Sequence, residues 1–300
     1  VTLRLIRASV RQQASRDVLT ASAWGQGLSG QQFLQREQQL RGHAWAAAAL
    51  RSWWWVDAQG APLASCETFE VDSCVGEAPG VAHLIASVFV EPALRGQGHA
   101  SAMLRAVLAA ARRPTSQAFV LFSEVGVALY ARVGFRAAPA VDLVLPAGAG
   151  RPLPTATRVP AVRRSLGSLS LERASGFIDW QQERERAYAA LLQRTAPPTA
   201  TAECEGATIG WTAYFKTGEL HVLWLDEAPV ATRARLLEAA RAAAFDSGLA
   251  QVRVWEQGDG AWTGGLPGVR IVPRDDEVPM YLPLVSGIER WAPIERATWA

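Results

Sequence analysis

The sequence predicts an α/β protein in two halves, the second a degenerate copy of the first. Three observations predict it. An apolar strand over residues 83–90 runs into a glycine turn, Arg95-Gly96-Gln97-Gly98, and then into a helix. Short strands and helices follow one another through residues 62–122, the order of a sheet covered by helices. A fainter version of that order (strand, strand, helix, strand) returns between residues 208 and 255 without the glycine turn. With 300 residues, 49% hydrophobic and 19% charged, the chain has the composition of folded material and length enough for two domains.

In chain order, residues 3–8 open as a strand. Residues 25–29 form a turn, and 29–50 a helix packed through Phe33, Leu40 and Trp45. The run Arg51-Ser52-Trp53-Trp54-Trp55-Val56 is a strand, Asp57-Ala58-Gln59-Gly60 a hairpin turn, and 62–71 the returning strand. A loop is expected over 72–80. Three successive tryptophans put rings on both faces of their strand and fill the core between sheet and helices. After the glycine turn, a helix at 101–112 is ended by Pro114. Residues 117–122 are a buried strand, 125–133 a short helix closed by Gly134, and 141–145 the last strand of the first half. Residues 146–160, rich in Pro, Gly and Ala, read as a linker. The expected division is thus 1–145, 146–160 and 161–300. In the second half, a helix over 176–194 is stopped by Pro197-Pro198. A hairpin pairs 208–215 with 220–225 around Lys216-Thr217-Gly218, and a helix at 229–245 precedes a strand at 252–255. Trp211, Trp224, Trp255 and Trp262 pack this half, and Trp291 and Trp299 dock the tail.

Charge excludes more than it suggests. Thirty basic residues face 28 acidic ones, for a net charge of +2, and no basic run marks a nucleic-acid surface. Lys216 is the single lysine. No apolar stretch approaches the ~20 residues of a membrane span, and the first residues do not read as a signal peptide. Cys66, Cys74 and Cys204 are odd in number and lack metal-ligand spacing, which fits a reducing cytoplasm. His43, His83, His99 and His221 are scattered, so no metal is expected.

The chemistry sits in the glycine turn. A helix start presents backbone N–H groups with no intrahelical partner, and with the helix dipole they form an anion site. Gly96 and Gly98 let the backbone approach phosphate closely. A P-loop would close with Gly-Lys-Ser or Gly-Lys-Thr, but the chain has His99-Ala100-Ser101. A dinucleotide fold would place its glycines after the first strand, with an acidic residue about 20 positions on. Here the turn follows the fourth strand. A coenzyme A pyrophosphate needs only a glycine turn at a helix start. The alternative is a tight turn without a ligand.

Arg95-Gly96-Gln97-Gly98-His99-Ala100 resembles the Arg/Gln-x-x-Gly-x-Gly/Ala signature of the GNAT superfamily of N-acetyltransferases. Residues 88–92 look like its preceding strand, and Tyr130-Ala131-Arg132-Val133-Gly134-Phe135 like its later Tyr-x-x-x-Gly-Phe segment. The resemblance covers about residues 3–145. More narrowly, Leu121-Phe122-Ser123-Glu124-Val125-Gly126 with Tyr130, together with Pro279-Met280, Trp291, Glu295-Arg296 and Trp299, is similar to the fungal lysine N-acetyltransferase family. The resemblance implies a mixed, splayed central sheet for the first half, and the fainter repeat of its element order then reads as a degenerate second GNAT-like domain. It implies acetyl transfer from acetyl-CoA to a primary amine without a metal. The pyrophosphate would lie on Gly96, Gln97, Gly98, His99, Ala100 and Ser101, beside Arg95. The pantetheine arm would pair with Val88, Phe89 and Val90.

The reaction requires an amine that has lost a proton, a proton for the leaving thiolate and a donor to the thioester oxygen. Tyr130 aligns with the tyrosine that faces the CoA sulfur and is the candidate general acid. Glu124, after the strand at 117–122, is the candidate base, acting through water or by holding the ammonium. Glu67 and Glu70, three apart on one strand, point to opposite faces, so at most one lines the cleft. His83 is a weaker base. Asp226 and Glu227, at the corresponding helix start of the second half, would repel a pyrophosphate, so one acetyl-CoA is expected per chain. A small-molecule amine, lysine or a related amino acid, is the expected acceptor. A peptide or protein amine and a noncatalytic acyl-CoA-binding module are the alternatives.

Overall fold

The computed structural model describes residues 3–195, 200–258, 263, 266 and 268–299. The first part runs β1 (Arg4–Arg7), α1 (Val10–Trp24), α2 (Gly30–Gly42), α3 (Ala44–Ala49), β2 (Leu50–Val56), β3 (Pro62–Val75), β4 (Ala78–Val90), α4 (His99–Ala111), β5 (Ser116–Ser123), α5 (Ala128–Ala131), β6 (Arg136–Ala137) and β7 (Ala140–Pro146). Then come β8 (Ser168–Leu171), α6 (Ser175–Leu191), β9 (Ala200–Cys204), β10 (Ala207–Tyr214), β11 (Glu219–Leu225), α7 (Val230–Asp246), β12 (Gln251–Gln257), β13 (Arg270–Pro273), β14 (Val278–Pro283) and β15 (Arg290–Trp291). Pro197, Pro198 and Trp262 lie outside the described residues. Among the described residues, no helix is long and apolar enough to cross a membrane.

The first sheet has the order β1-β2-β3-β4-β5-β14-β6. Along this order neighbouring strands are antiparallel except for β4 and β5, which are parallel and joined by the crossover helix α4. β3 is long enough to carry β2 along its first part and β8 against Ser73, Cys74 and Val75. β15 extends the sheet beyond β8. The second sheet runs β9-β10-β11-β12-β7-β13, with β11 and β12 parallel and α7 crossing between them. Position for position it repeats β2-β3-β4-β5-β14-β6. The fold is a GNAT-like α/β arrangement followed by a second, analogous one.

The sheets exchange one strand each. β7, which the sequence assigns to the first half, lies in the second sheet along the whole of β12, from Ala140 opposite Gln257 to Pro146 opposite Gln251. Leu143 and Leu145 there pack with Leu236 and Leu237 of α7 and Val252 and Val254 of β12. β14 takes the corresponding place in the first sheet, antiparallel to β5. The apolar alternation of residues 141–145 marks a strand but does not say which sheet edge receives it. Sheet membership therefore does not follow the division at 146–160.

Three local expectations are corrected. The loop at 72–80 is a continuation of β3 and β4, turned tightly at Gly76, whose φ of +57° lies in the left-handed region that favours glycine. The single helix at 29–50 is two, broken at His43. The helix at 125–133 shortens to α5, because Ser123 accepts from the Val125 N–H and donates to the Gly126 carbonyl, holding a turn.

α1 was not anticipated. Its signal is the capping box Ser9-Val10-Arg11-Gln12, in which Ser9 Oγ accepts from the Gln12 N–H and Gln12 Oε1 accepts from the Ser9 N–H. Ser29 and Gln32 start α2 in the same way. Each cap satisfies helix-start donors that would otherwise lack partners and contributes about 1 kcal/mol.

Trp53 and Trp55 pack with Met103 and Val107 of α4, and Trp54, on the opposite face, is equally buried. The halves meet through α6. Trp45 of α3 stacks between Phe69 of β3 and Phe177 of α6, with ring centroids 5.5 and 4.3 Å away. Trp180 Nε1 donates to the Leu40 carbonyl at 3.1 Å.

Candidate active site

β4 pairs with β5 only over residues 81–85. Beyond that point β4 stays on β3 and β5 stays on β14, so the parallel strands part. Ser87 marks the departure. Its φ of +52° is left-handed for a residue with a side chain, and the ladder to β3 shifts register between Ser65 and Glu67. Arg16 of α1 holds this bulge. Its guanidinium donates to the Ser87 carbonyl at 2.8 Å and to Ser65 Oγ at 3.1 Å, and pairs with Glu67 at 3.2 Å.

The glycine turn follows. Gly96 and Gly98 have φ of +79° and +84°, and a Cβ on either would meet nothing within 4 Å. Backbone conformation, not crowding, is what calls for glycine here, and the turn faces open space. Gly98 is the N-cap of α4, with no side chain capping the helix start and no acidic residue in its first turn. The N–H groups of His99, Ala100 and Ser101 have no intrahelical partners, so the positive end of the helix dipole stays open to an anion. Arg95 Nε donates to the Val90 carbonyl at 3.3 Å and ties turn to strand.

The splay and the turn open into one cavity of about 800 Å³. Val88, Phe89, Val90, Arg95, Gly96, Gly98, His99, Ala100, Ser101, Glu124 and Tyr130 line it. Gln97 does not; its side chain donates back to the Ala93 carbonyl at 3.4 Å. Tyr130 is buried, edge-on to Phe135. Burial, with the negative charges of Cys66 and Glu124 it would face, raises its pKa and keeps the phenol protonated at neutral pH. Glu124 has appreciable solvent exposure yet stands within the concave wall. Desolvation pushes its pKa up, the Lys216 charge opposes that, and Glu277 and Asp276 add to the rise.

Glu67 also lines the cavity, but Arg16 and Arg41 engage its carboxylate at 3.2 and 3.7 Å. Glu70 lies on the opposite face and pairs with Arg113 at 3.0 Å. His83 lies away from the cavity, with Nε2 2.7 Å from Ser116 Oγ, and burial lowers its pKa to about 4. Burial pushes the Cys66 thiol up to about 12, so it offers no thiolate nucleophile.

The remaining wall comes from both halves. α1 and α2 supply Trp24, Phe33, Arg36 and Arg41, α6 supplies Trp180, Arg184, Glu185 and Tyr188, and Tyr214, Lys216 and Trp299 close the far side. Sequence reasoning missed Arg16 and Trp24 with α1, for which the capping box was the available signal, and did not single out Arg41 of α2. The residues of α6 and of the β10–β11 hairpin reach the cavity only through the packing of the halves.

The second half has the strand parting but not the rest. β11 and β12 pair only at Leu220–Val252 and His221–Arg253. Among the described residues, the tail fills the gap: Ala297 packs on Leu223 and Trp224, and Arg296 lies over the rings of Trp255, Tyr214 and Trp299. Asp226 accepts from the Thr208 N–H and Oγ and pairs with Arg173, while Glu227 pairs with Arg163. Pro229 caps α7 where the first half has Gly98.

A parted parallel strand pair beside a glycine-capped crossover helix is the architecture of the GNAT acyltransferases. Residues 50–137 match the acetyltransferase (GNAT) domain. No curated protein matches the chain. Solved structures similar across both halves include a conserved Enterococcus faecalis V583 protein described as a probable N-acyltransferase. It has 13% identity and a TM-score of 0.60, with 94% of this chain and 72% of that one covered. A GCN5-related N-acetyltransferase from Kribbella flavida has 16% identity and a TM-score of 0.54, over 93% and 71% of the two chains. Eis1 from Mycobacterium abscessus has 12% identity and a TM-score of 0.54, over 94% and 73%. At these identities the likeness is one of fold. It extends through both sheets, in keeping with a tandem arrangement.

Proposed function

We propose that this chain transfers the acetyl group of acetyl-CoA to the primary amine of a small molecule, an amino acid such as lysine or a related metabolite. One observation carries the reading: strand splay, open helix start, Tyr130 and Glu124 share a single cavity. The free edge of β4 beyond residue 85 fits an amide-rich pantetheine arm, which adds hydrogen bonds as an extra strand would. The N–H groups at the start of α4 fit the pyrophosphate, and Gly96 and Gly98 leave room for it.

In this reading Glu124 holds the incoming ammonium and takes up its proton, directly or through water. A raised pKa suits that work, because a base is most effective when its pKa lies near the working pH. The amine lone pair attacks the thioester carbon, a backbone N–H near Phe89 or Val90 donates to the developing oxyanion, and Tyr130 gives its proton to the departing thiolate. Cys66 is unsuited to relaying the acetyl group, which favours direct transfer. The wall contributed by α6 and the β10–β11 hairpin encloses the acceptor space and favours a small amine over a protein chain. The test is an amine panel with acetyl-CoA, read by mass spectrometry. Acetylation of one or a few small amines is expected. Acetyl transfer to no amine by a protein that binds acetyl-CoA would leave a noncatalytic binding module.

A further inference from the structure

The chain carries one lysine among 30 basic residues. That lysine, Lys216, is on the wall of the cavity that holds Tyr130, Glu124 and the start of α4. Position and chemistry coincide here. The arginines that line the cavity keep their charge at any working pH and are poor nucleophiles, whereas a lysine can release a proton and attack a carbonyl. Among the described residues no carboxylate holds the Lys216 ammonium at salt-bridge distance, although it is close enough to Glu124 to lower that group's pKa. It sits at the start of the β10–β11 turn, solvent-exposed, ahead of Gly218 at φ +72°. By contrast Arg16, Arg41 and Arg184 are fixed by partners: Arg16 and Arg41 on Glu67, Arg184 on Glu185 at 3.2 Å.

We propose that Lys216 is a self-acetylation site, receiving the acetyl group of acetyl-CoA held in its own cavity. The inference rests on the acetyl-CoA reading above and adds an acceptor that belongs to the chain. In the step, the neutral Nζ lone pair attacks the acetyl carbonyl carbon and the C–S bond breaks with its electron pair going to sulfur. The thiolate takes a proton from Tyr130, and the proton lost by nitrogen passes to Glu124 or to water. One acetyl-CoA is consumed and one CoA released for each amide formed. The product removes the only ammonium facing Glu124 from the second half and lengthens a side chain on the acceptor wall, so the modified chain differs from the unmodified one where a free amine must enter.

The experiment incubates the full chain with acetyl-CoA and no added amine, then reads intact mass and maps the modified peptide. One acetyl group on Lys216 is expected, at a first-order rate independent of protein concentration. The rate should exceed that of the urea-unfolded chain by roughly 10²-fold, the low end of what positioned proton transfer contributes. Lys216→Arg, an exposed and charge-conserving change, should gain no acetyl group. Gly98→Glu, folded by circular dichroism, should lose the reaction. A chain that binds acetyl-CoA by calorimetry and acetylates a free amine while Lys216 stays unmodified overturns the inference and leaves the proposed function standing. Modification of the α-amino group alone, or of Lys216 no faster than in urea, overturns it too. If acetyl-CoA does not bind at all, this inference and the proposed function fail together.

Discussion

At the scale of single residues, Tyr130 separates a catalytic hydroxyl from a merely buried one. Tyr130→Phe keeps the ring against Phe135 and removes one oxygen. We expect little change in the acetyl-CoA dissociation constant and a rate lower by roughly 10²-fold. That loss should shrink for an acyl donor whose thiol is more acidic and leaves without help. Pre-steady-state transfer with two such donors measures it, and equal mutant-to-wild-type ratios would return the hydroxyl to a structural role. His83 sets a pH dependence of stability. Burial, and secondarily the Arg113 charge, hold its pKa near 4 against an ordinary 6.5. Between those values the unfolded chain binds the extra proton, so stability rises with pH across the window. The contribution is full above about pH 6.5 and lost as pH falls through 4, up to about 3 kcal/mol. Urea unfolding at a series of pH values should show a shallower slope in this window for His83→Gln.

At the scale of elements, the α4 start and the parted strands act as a unit, since one offers donors to an anion and the other a ladder edge to an amide chain. Gly98→Glu puts a negative side chain into the open space before α4 and forces a left-handed φ on a residue with a Cβ, a backbone cost of about 1–2 kcal/mol. We expect acetyl-CoA affinity to fall by roughly tenfold or more, equivalent to about 1.4 kcal/mol of binding, in a protein that remains folded. Gly98→Ala meets no atom within 4 Å and carries the backbone cost without the charge, so it should lose far less affinity. Equal losses for the two would mean that conformation, not anion binding, is what the glycine serves. The same scale shows why the β3–β4 hairpin was under-read. Its tip is polar and glycine-containing, which in sequence resembles a loop, but β8 arrives from beyond the linker and pairs with Ser73, Cys74 and Val75. A strand edge supplied from nearly a hundred residues away leaves no local signature.

At the scale of the whole molecule, the halves are bound by exchanged strands and by the Trp45–Phe177 stack. Arg173 joins Asp226 and Glu295 at 2.8 and 2.6 Å, linking the approach to α6 with the end of β11 and the tail. Only one half keeps an open helix start. In the other, the tail packs into the strand parting, and Asp226 and Glu227 precede α7. Isothermal titration with acetyl-CoA should therefore give one site per chain. A second site of comparable affinity would mean that the tail yields to ligand and that the second half is not silent.

The glycine turn, the Tyr-x-x-x-Gly-Phe segment and the strand–helix order were enough to identify the fold class and the residues proposed for acetyl-CoA and for acid catalysis, because a left-handed helix cap and a buried strand are local demands written in consecutive residues. Glu124 could be located from its place after β5, but not its raised pKa, which comes first from burial, with Glu277 and Asp276 adding to the rise and Lys216 opposing it, all from elsewhere in the chain. The same holds for the exchange of β7 and β14, the Arg16 clasp on the Ser87 bulge and the closing of the cavity by α6. Each rests on contacts between segments far apart in sequence. Hydrophobic alternation says that a strand will be buried, but only the packed tertiary structure decides against which neighbour.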